Sequence, residues 1–146
     1  MFQPIEIFVP GEPKGQPRPR AFARNGMVRM YDPATAEGWK CAIADEWRRS
    51  VPKLETITVP VSLTLRFYMP RPKSHFNSKR SLKSTAPFYH AKKPDVDNMA
   101  KAVMDALTQL QVWQDDDQVV ILKVGKYFAN GGRTGRNIHL QEAVTV

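Results

Sequence analysis

Residues 92–101 have the sequence KKPDVDNMAK, and residues 113–117 have the sequence WQDDD. Proline stops any preceding helix and an Asx side chain can cap a new one, so we expect a helix to begin at Asp95 to Asp97. Apolar residues at helical spacing then indicate one buried stripe and an end near residues 109–111. That stripe consists of Val96, Met99, Val103, Leu107 and Leu110.

Five aspartates lie in these two stretches, although the formal net charge of the chain is +8. If Val112 and Trp113 fold back over the helix end, the second acidic run approaches the first. Clustered carboxylates favour Mg²⁺, which takes oxygen ligands and uses one or two carboxylates plus substrate phosphates. The structural alternative is that Asp95 caps the helix and residues 115–117 form a solvated turn. Lys101, one turn beyond Asp97, the second acidic run and the basic flanks argue for the functional interpretation.

The run from residue 93 to residue 120, KPDVDNMAKAVMDALTQLQVWQDDDQVV, resembles the central motif of the RusA family of Holliday junction resolvases. The family pattern is approximately K-P-D-x-D-N-hydrophobic-x-K-x3-D-A-L, followed by W-x-D-D-x-Q-V. Residues 14–33, KGQPRPRAFARNGMVRMYDP, are similar to the basic, proline-rich opening of the family. The resemblance covers roughly residues 5–127 and is most specific in the central motif.

The resemblance implies a role for each motif residue. The metal-binding carboxylates of the family correspond to Asp95, Asp97 and Asp116, and its catalytic lysine corresponds to Lys101. These four are the expected catalytic residues, with Mg²⁺ as the cofactor and Mn²⁺ as a substitute. Candidate supporting residues are Asn98, Asp115 and Asp117, and whether Asp115 or Asp117 shares the metal role of Asp116 is left open.

The implied function is a Mg²⁺-dependent endodeoxyribonuclease that resolves four-way DNA junctions by paired symmetric nicks in recombination and repair. A homodimer with two active sites would match the symmetry of such a junction. Two alternatives remain open. One is a nuclease that acts mainly on forks or flaps, and the other is a non-catalytic nucleic-acid-binding protein whose aspartates only cap the helix and form a turn.

Composition agrees with a nucleic-acid partner. The pI near 9.8 favours polyanions, and 146 residues are most simply one domain, an endonuclease-like unit over residues 1–146. The single Cys41, which we expect to be buried, excludes an internal disulfide. We expect no membrane partner, no small-molecule cofactor and a cytoplasmic, nucleoid-associated protein, since no signal segment or apolar run of membrane-spanning length is present.

Two basic segments are candidate DNA contacts. The first is the proline-rich arm at residues 11–20, and the second is the stretch from residue 70 to residue 93, in which no acidic residue occurs. Aromatic residues within the second segment suit unstacked bases, and its cations suit phosphates; its two histidines lack a zinc-binding spacing. The predicted contacts are Lys14, Arg18, Arg20, Lys73, Lys79, Arg80, Lys83, Lys92 and Lys93.

The remaining elements predict an α+β fold, a small mixed sheet with two main helices packed on it in the order β-α-β-α-β-β. Residues 59–69 alternate strictly between apolar and polar and indicate a strand with one buried face. Residues 119–128 are nearly all apolar, which predicts a strand buried on both faces that forms a hairpin with the final strand. We also predict a helix from Asp32 to about Arg49, a tight Asn25-Gly26 hairpin, exposed arginines at residues 133 and 136, and a long basic loop before the second helix.

Overall fold

A computed structural model describes the backbone of residues 2–15, 20–24, 27–31, 34–130 and 133–144. Side chains are described for residues 2–15, 38–130 and 133–144. The elements, in chain order, are β1 (Ile5–Pro10), β2 (Arg20–Arg24), β3 (Met27–Tyr31), α1 (Ala34–Ser50), β4 (Val61–Met69), α2 (Val96–Gln109), β5 (Val119–Phe128) and β6 (Gly135–Glu142).

The main sheet has the strand order β1-β6-β4-β5. Strand β4 pairs in parallel with β5 and antiparallel with β6, and β6 pairs antiparallel with β1. Strands β2 and β3 form a separate antiparallel hairpin, in which Arg24 pairs with Met27. The predicted turn at Asn25-Gly26 lies outside the described residues, as do Asp32 and Pro33, the predicted start of α1.

The hydrophobic core lies between one face of this sheet and the two helices. Alternate residues of β4 are fully buried, and the apolar faces of α1 and α2 point into the same core. The stripe predicted for α2 is wrong at Val96, which begins the helix and is 40% exposed. The main buried residues are Leu63, Leu65 and Phe67 of β4, Met99, Val103 and Leu107 of α2, and Trp39, Ile43 and Trp47 of α1. The predicted α+β class, the element order and the placement of the helices on the sheet are therefore confirmed.

The predictions for β5 were wrong in two respects. Strand β4 lies between β5 and β6, so these two consecutive strands do not form a hairpin. Strand β5 is an edge strand rather than a buried one, and Val120 is 58% exposed. An apolar run of ten residues fits either a buried strand or an apolar edge, and the pairing partner that decides between them is set by tertiary structure.

Two further side chains differ from expectation. Cys41 is exposed rather than buried. Arg136 is fully buried instead of lying at a turn tip, and its guanidinium stacks 4.5 Å from the ring centroid of Trp39. Arg136 Nη2 donates a hydrogen bond to the backbone oxygen of Trp39, 3.2 Å away, and burial lowers the pKa of the guanidinium. The arginine therefore joins β6 to α1.

The segment from residue 70 to residue 94 is irregular but has its own hydrogen bonds, with one 3-10 turn at Lys73–His75. Arg71 anchors it, donating from Nε to the Ala129 oxygen at 2.9 Å and from Nη1 to the Pro87 oxygen at 2.8 Å. The rings of His75 and His90 both pack edge-on against Phe128. Within the described part of the chain, no helix has the length and apolarity needed to cross a membrane.

A matched pair of glycine substitutions tests the packing of β1 on β6. A Cβ at Gly135 would lie 2.6 Å from the Val9 backbone oxygen and would overlap the Phe8 ring, whereas a Cβ at Gly38 of α1 meets nothing within 4 Å. We expect Gly135→Ala to lower the free energy of unfolding by about 1–3 kcal/mol. We expect Gly38→Ala to raise it by about 0.5–1 kcal/mol. Urea unfolding of both variants measures this, and equal effects would contradict the packing described for Gly135.

Candidate active site

Asp95 occupies the N-cap position of α2 without acting as a side-chain cap. Its backbone oxygen accepts the first helical hydrogen bond, from Met99 N at 3.1 Å, but its carboxylate makes no capping hydrogen bond. The helix begins where it was predicted, and the carboxylate is exposed. The capping role that would have explained Asp95 structurally is therefore not performed by its side chain.

Three charged residues follow one another along a single face of α2. Asp97, Lys101 and Asp105 are spaced by four residues, which places each one turn beyond the last on the same side of the helix. Asp97 and Lys101 are exposed, and Asp105 is partly buried. We name Asp97, Lys101 and Asp105, together with Asp116, the acid line. Asp105 was not among the predicted site residues, although the i, i+4, i+8 spacing identifies it.

The chain returns toward this helix through a sharp reversal after α2. Gln111 has a positive φ of 58°, and the N–H of Val112 donates to the oxygen of Leu107 at 3.1 Å. Trp113 is 1% exposed, and its indole nitrogen donates to Thr108 Oγ1 at 2.8 Å. The predicted fold-back of residues 112 and 113 over the helix end is therefore confirmed, and it directs the acidic triplet toward α2.

Asp115 has a structural role in the acidic triplet. Its carboxylate accepts a hydrogen bond from the N–H of Asp117, at 3.3 Å, and caps the 3-10 turn Asp116–Gln118. The Gln118 side chain completes the capping box by accepting from the N–H of Asp115, at 3.2 Å, and it also donates to the oxygens of Ile57 and Val59. Capping thus explains the position of Asp115, whereas the carboxylate of Asp116 takes no part in the capping box.

Asp116 lies beside the charged face of α2. A side-chain hydrogen bond with Asp115 raises the pKa of Asp116. Partial burial and the charges of Asp115 and Asp105 raise that pKa further, while the charge of Lys101 opposes them. The same hydrogen bond lowers the pKa of Asp115, as does the N–H of Asp117. Negative charge in excess of the available cations raises a carboxyl pKa in this way, and a bound cation relieves it.

The N-terminal arm passes close to the start of α2. A Cβ placed at Gly15 would lie 3.0 Å from Pro94 Cβ and 3.6 Å from Asn98 Cβ, so the backbone of Gly15 packs directly on the helix entrance. Lys14 is partly exposed and lies 3.6 Å from the Glu12 carboxylate. Of the other predicted arm contacts, Arg18 lies outside the described residues, and Arg20 begins β2, where only the backbone is described.

Lys126 of β5 holds the segment that leads into Asp95. This lysine was not among the site residues predicted from the sequence. Its ammonium donates to the backbone oxygens of Lys92 and Pro94, the latter at 2.7 Å. The Lys93–Pro94 peptide bond that they flank is cis. The signal in the sequence was a lysine within a mainly apolar strand, because a cation that is partly buried there needs oxygen partners.

The predicted loop contacts are all exposed, namely Lys73, Lys79, Arg80, Lys83, Lys92 and Lys93. Burial and the neighbouring cations Arg71 and Lys92 lower the pKa of His75. Burial and Lys126 lower the pKa of His90. Both imidazoles are therefore neutral at pH 7 and pack against Phe128, which is a structural role.

The acid line suits a hard cation, because it offers carboxylate oxygens and an excess of negative charge. Among the described residues, no three histidine, cysteine or acidic side chains converge closely enough to hold a metal ion between them. Magnesium does not require such a cage, since it keeps several waters and binds through one or two carboxylates together with substrate phosphates. The carboxylate of Asp95, which makes no capping hydrogen bond, and Asp116, which lies near Lys101 and Asp105, fit that mode of binding.

Comparison with known proteins gives two findings. A sequence profile for the family described as Endodeoxyribonuclease RusA matches residues 10–138. The chain is also 42% identical, over 131 residues, to the uncharacterized protein YqaN of Bacillus subtilis (strain 168), an alignment that covers 88% of this chain and 91% of the relative. The span matched by the profile includes β2 to β5, both helices and every residue of the acid line, and it ends within β6. The protein belongs to the RusA family of endodeoxyribonucleases.

Proposed function

We propose that this protein is a Mg²⁺-dependent endodeoxyribonuclease that resolves four-way DNA junctions by paired symmetric nicks, acting at the nucleoid in the cytoplasm. The observation that carries the proposal is the position of Asp116, whose carboxyl lies within the electrostatic reach of Lys101 and Asp105 on the α2 face that begins at Asp97. Family membership supports the nuclease activity, and the branched substrate and the metal are inferred.

Each residue of the site has a role in this proposal. Asp95, Asp97 and Asp116 would hold Mg²⁺, with Mn²⁺ as a substitute. When bound, Mg²⁺ supplies positive charge at the scissile phosphate and lowers the pKa of an attacking water. The charge of Lys101 acts on Asp116, and in this proposal it would stabilise the negative charge that develops on the phosphate oxygens. Asp115 and Gln118 hold the turn that carries Asp116, and Lys126 holds the segment that carries Asp95.

DNA reaches the acid line from two basic segments. The backbone of Gly15 contacts Pro94 and Asn98 at the entrance of α2, which supports a place for the neighbouring Lys14 in the DNA footprint. Arg18 and Arg20 belong to the proposed footprint on their sequence alone. The exposed cations of the loop lie on the chain immediately before the same helix, with no acid among them. Contacts of this type bind phosphates and position the duplex without reading its sequence.

The exposed edge of β5 supports a homodimer. Val120, Ile121 and Leu122 are 58%, 38% and 44% exposed, and they follow one another on an edge strand. A long apolar edge of this type is unusual on a monomer, because it invites pairing with another chain. Two copies would place two acid lines in one assembly, which matches the paired nicks of the proposed reaction.

The first test is Asp97→Asn, which keeps the size of the side chain and removes its charge. We expect cleavage of a labelled four-way junction in Mg²⁺ to fall by roughly a hundredfold or more, since even partners of metal ligands cost about 10- to 100-fold. Binding of the junction without metal should persist. Nicking gels and binding isotherms, with Mg²⁺, with Mn²⁺ and with chelator, provide the measurement.

Asp45→Asn is the control, since it removes the same charge from an exposed position on α1. It should cut as the wild type does. Cleavage by Asp97→Asn at the wild-type rate would contradict the site, and faster cutting of forks or flaps than of junctions by the wild type would contradict the proposed substrate.

A second test separates the members of the acidic triplet. Asparagine caps about as well as aspartate, so Asp115→Asn should retain both the unfolding temperature and most of the cleavage rate. Asp116→Asn should fold equally well and lose cleavage to the same extent as Asp97→Asn. Asp117→Asn is the matched control and should behave as the wild type. A loss in Asp115→Asn as deep as that in Asp116→Asn would assign the ligand role to Asp115 instead.

A third test concerns the loop. Replacing a lysine that contacts one phosphate should flatten the slope of log affinity against log salt concentration by about one unit. We expect this change for Lys79→Ala in titrations of a junction without metal. Lys53→Ala, an exposed lysine in the connection between α1 and β4, should leave the slope unchanged. An unaltered slope in Lys79→Ala would remove that residue from the DNA footprint.

A further inference from the structure

The face of the sheet opposite the helices carries a continuous row of aromatic rings. Phe8 of β1, Tyr68 of β4 and Tyr127 of β5 project from this face, because their strand neighbours project into the core. The loop residues Phe88 and Tyr89 extend the row beyond the edge of the sheet. Neighbouring centroids are 6.4 Å apart for Phe8–Tyr68, 5.8 Å for Tyr68–Tyr127, 5.7 Å for Tyr127–Tyr89 and 4.9 Å for Phe88–Tyr89. We name these five residues the ring row.

Two glycines allow the rings to lie over the strands. A Cβ at Gly125 would lie 2.6 Å from Tyr127 Cζ, and a Cβ at Gly135 would overlap the ring of Phe8. Any other residue at either position would push a ring away from the sheet. Tyr89 is 66% exposed and Phe88 is 55% exposed, so the outer rings present their faces to solvent rather than to the core. Such exposure is costly for aromatic residues that have no partner.

The charges around the ring row are mainly positive. Arg66 and Lys123 project from the same face as Tyr68 and Tyr127, and both are exposed. Arg133 lies 5.2 Å from the centroid of Phe8 and lines a cleft of about 410 Å³ beside Tyr68 and Asn137. The acid on this face, Glu6, lies 3.8 Å from His139 on the neighbouring strand.

We propose that the ring row is a stacking surface for unpaired bases of DNA, which deepens the proposed function and rests on DNA being the substrate. Aromatic rings flanked by cations bind single strands because every base has a stacking face and every phosphate a charge. Paired bases within a duplex cannot offer that face, so the surface selects unpaired nucleotides, such as those at a branch point. Arg66, Lys123 and Arg133 would contact the phosphates, and the cleft beside Tyr68 would hold one base.

Strand β5 joins the ring row to the segment that leads into Asp95. Lys126 and Tyr127 are adjacent on β5, where Lys126 holds the backbone before Asp95 and Tyr127 contacts Phe88 and Tyr89. The backbone N–H of His90 also donates to the Lys126 oxygen, at 3.2 Å. A single DNA strand stacked on the rings would therefore lie next to the protein segment that leads into the active site.

The test compares two oligonucleotides of equal length, an oligothymidylate and a wholly abasic strand, by fluorescence anisotropy in chelator. Tyr89→Leu and Tyr68→Leu should each weaken oligothymidylate binding by roughly fivefold to 150-fold, and leave abasic binding unchanged. Gly125→Ala retains all five rings but displaces Tyr127, and should also weaken only the oligothymidylate. Phe2→Leu is the control, since Phe2 lines a separate cleft with Leu54 and Thr56. Thermal unfolding confirms that each variant is folded.

Equal affinity of the wild type for both strands would overturn the proposal, because bases would then contribute nothing. The same conclusion follows if the ring variants dissociate into monomers in sedimentation while binding oligothymidylate normally, since the row would then be a subunit interface. Either result leaves the proposed function intact when the wild type still nicks four-way junctions in Mg²⁺. Failure of the proposed function appears separately, as an absence of nicking under any divalent metal.

Discussion

The parallel pairing of β4 with β5 is the constraint on which the position of the active site depends. Parallel neighbours cannot be joined by a tight turn, so the chain leaving the end of β4 must travel back along the sheet before β5 begins. Helix α2 makes that return, and its 14 residues are about 20 Å long. Asp95 consequently lies at the start of the helix, and the turn that carries Asp116 folds back from the helix end to the charges of Lys101 and Asp105. The carboxylates form a line along α2 rather than a closed cage, which explains why the described residues contain no ready-made three-ligand metal site.

Local patterns in the sequence were sufficient for the elements but not for their pairing. Strict alternation identified β4, and the 3.6-residue period identified the buried faces of α1 and α2. Neither pattern contains information about which strand lies beside which, so β5 was assigned to a hairpin that the parallel crossover rules out. The error at Arg136 has a related cause. Arginine near glycines usually indicates an exposed turn, but here the ring of Trp39 and two backbone oxygens provide a buried place for the guanidinium.

For the site, sequence spacing predicted which residues share a helix face, whereas the structure was needed to separate capping from other roles. Asp95 and Asp115 both precede a helical turn and are equally good caps by residue type. Only Asp115 uses its carboxylate as a cap, because the chain after it folds into a tight 3-10 turn that brings the N–H of Asp117 within reach. Lys126 and the three strand members of the ring row were missed because their partners are distant in sequence, at Pro94 and on three different strands.

The distribution of charge separates the surfaces that would bind DNA from the residues that would cleave it. The acid line contains three carboxylates and one lysine, so by itself it repels a phosphodiester. Positive charge is concentrated instead on the arm, the loop and the face that carries the ring row, where Arg66, Lys123 and Arg133 lie. In the proposed function, the binding free energy for DNA therefore comes from these surfaces, and they bring a phosphate against the acids when a cation offsets the local negative charge. On this proposal, the protein holds a DNA branch uncut until a cation binds at α2.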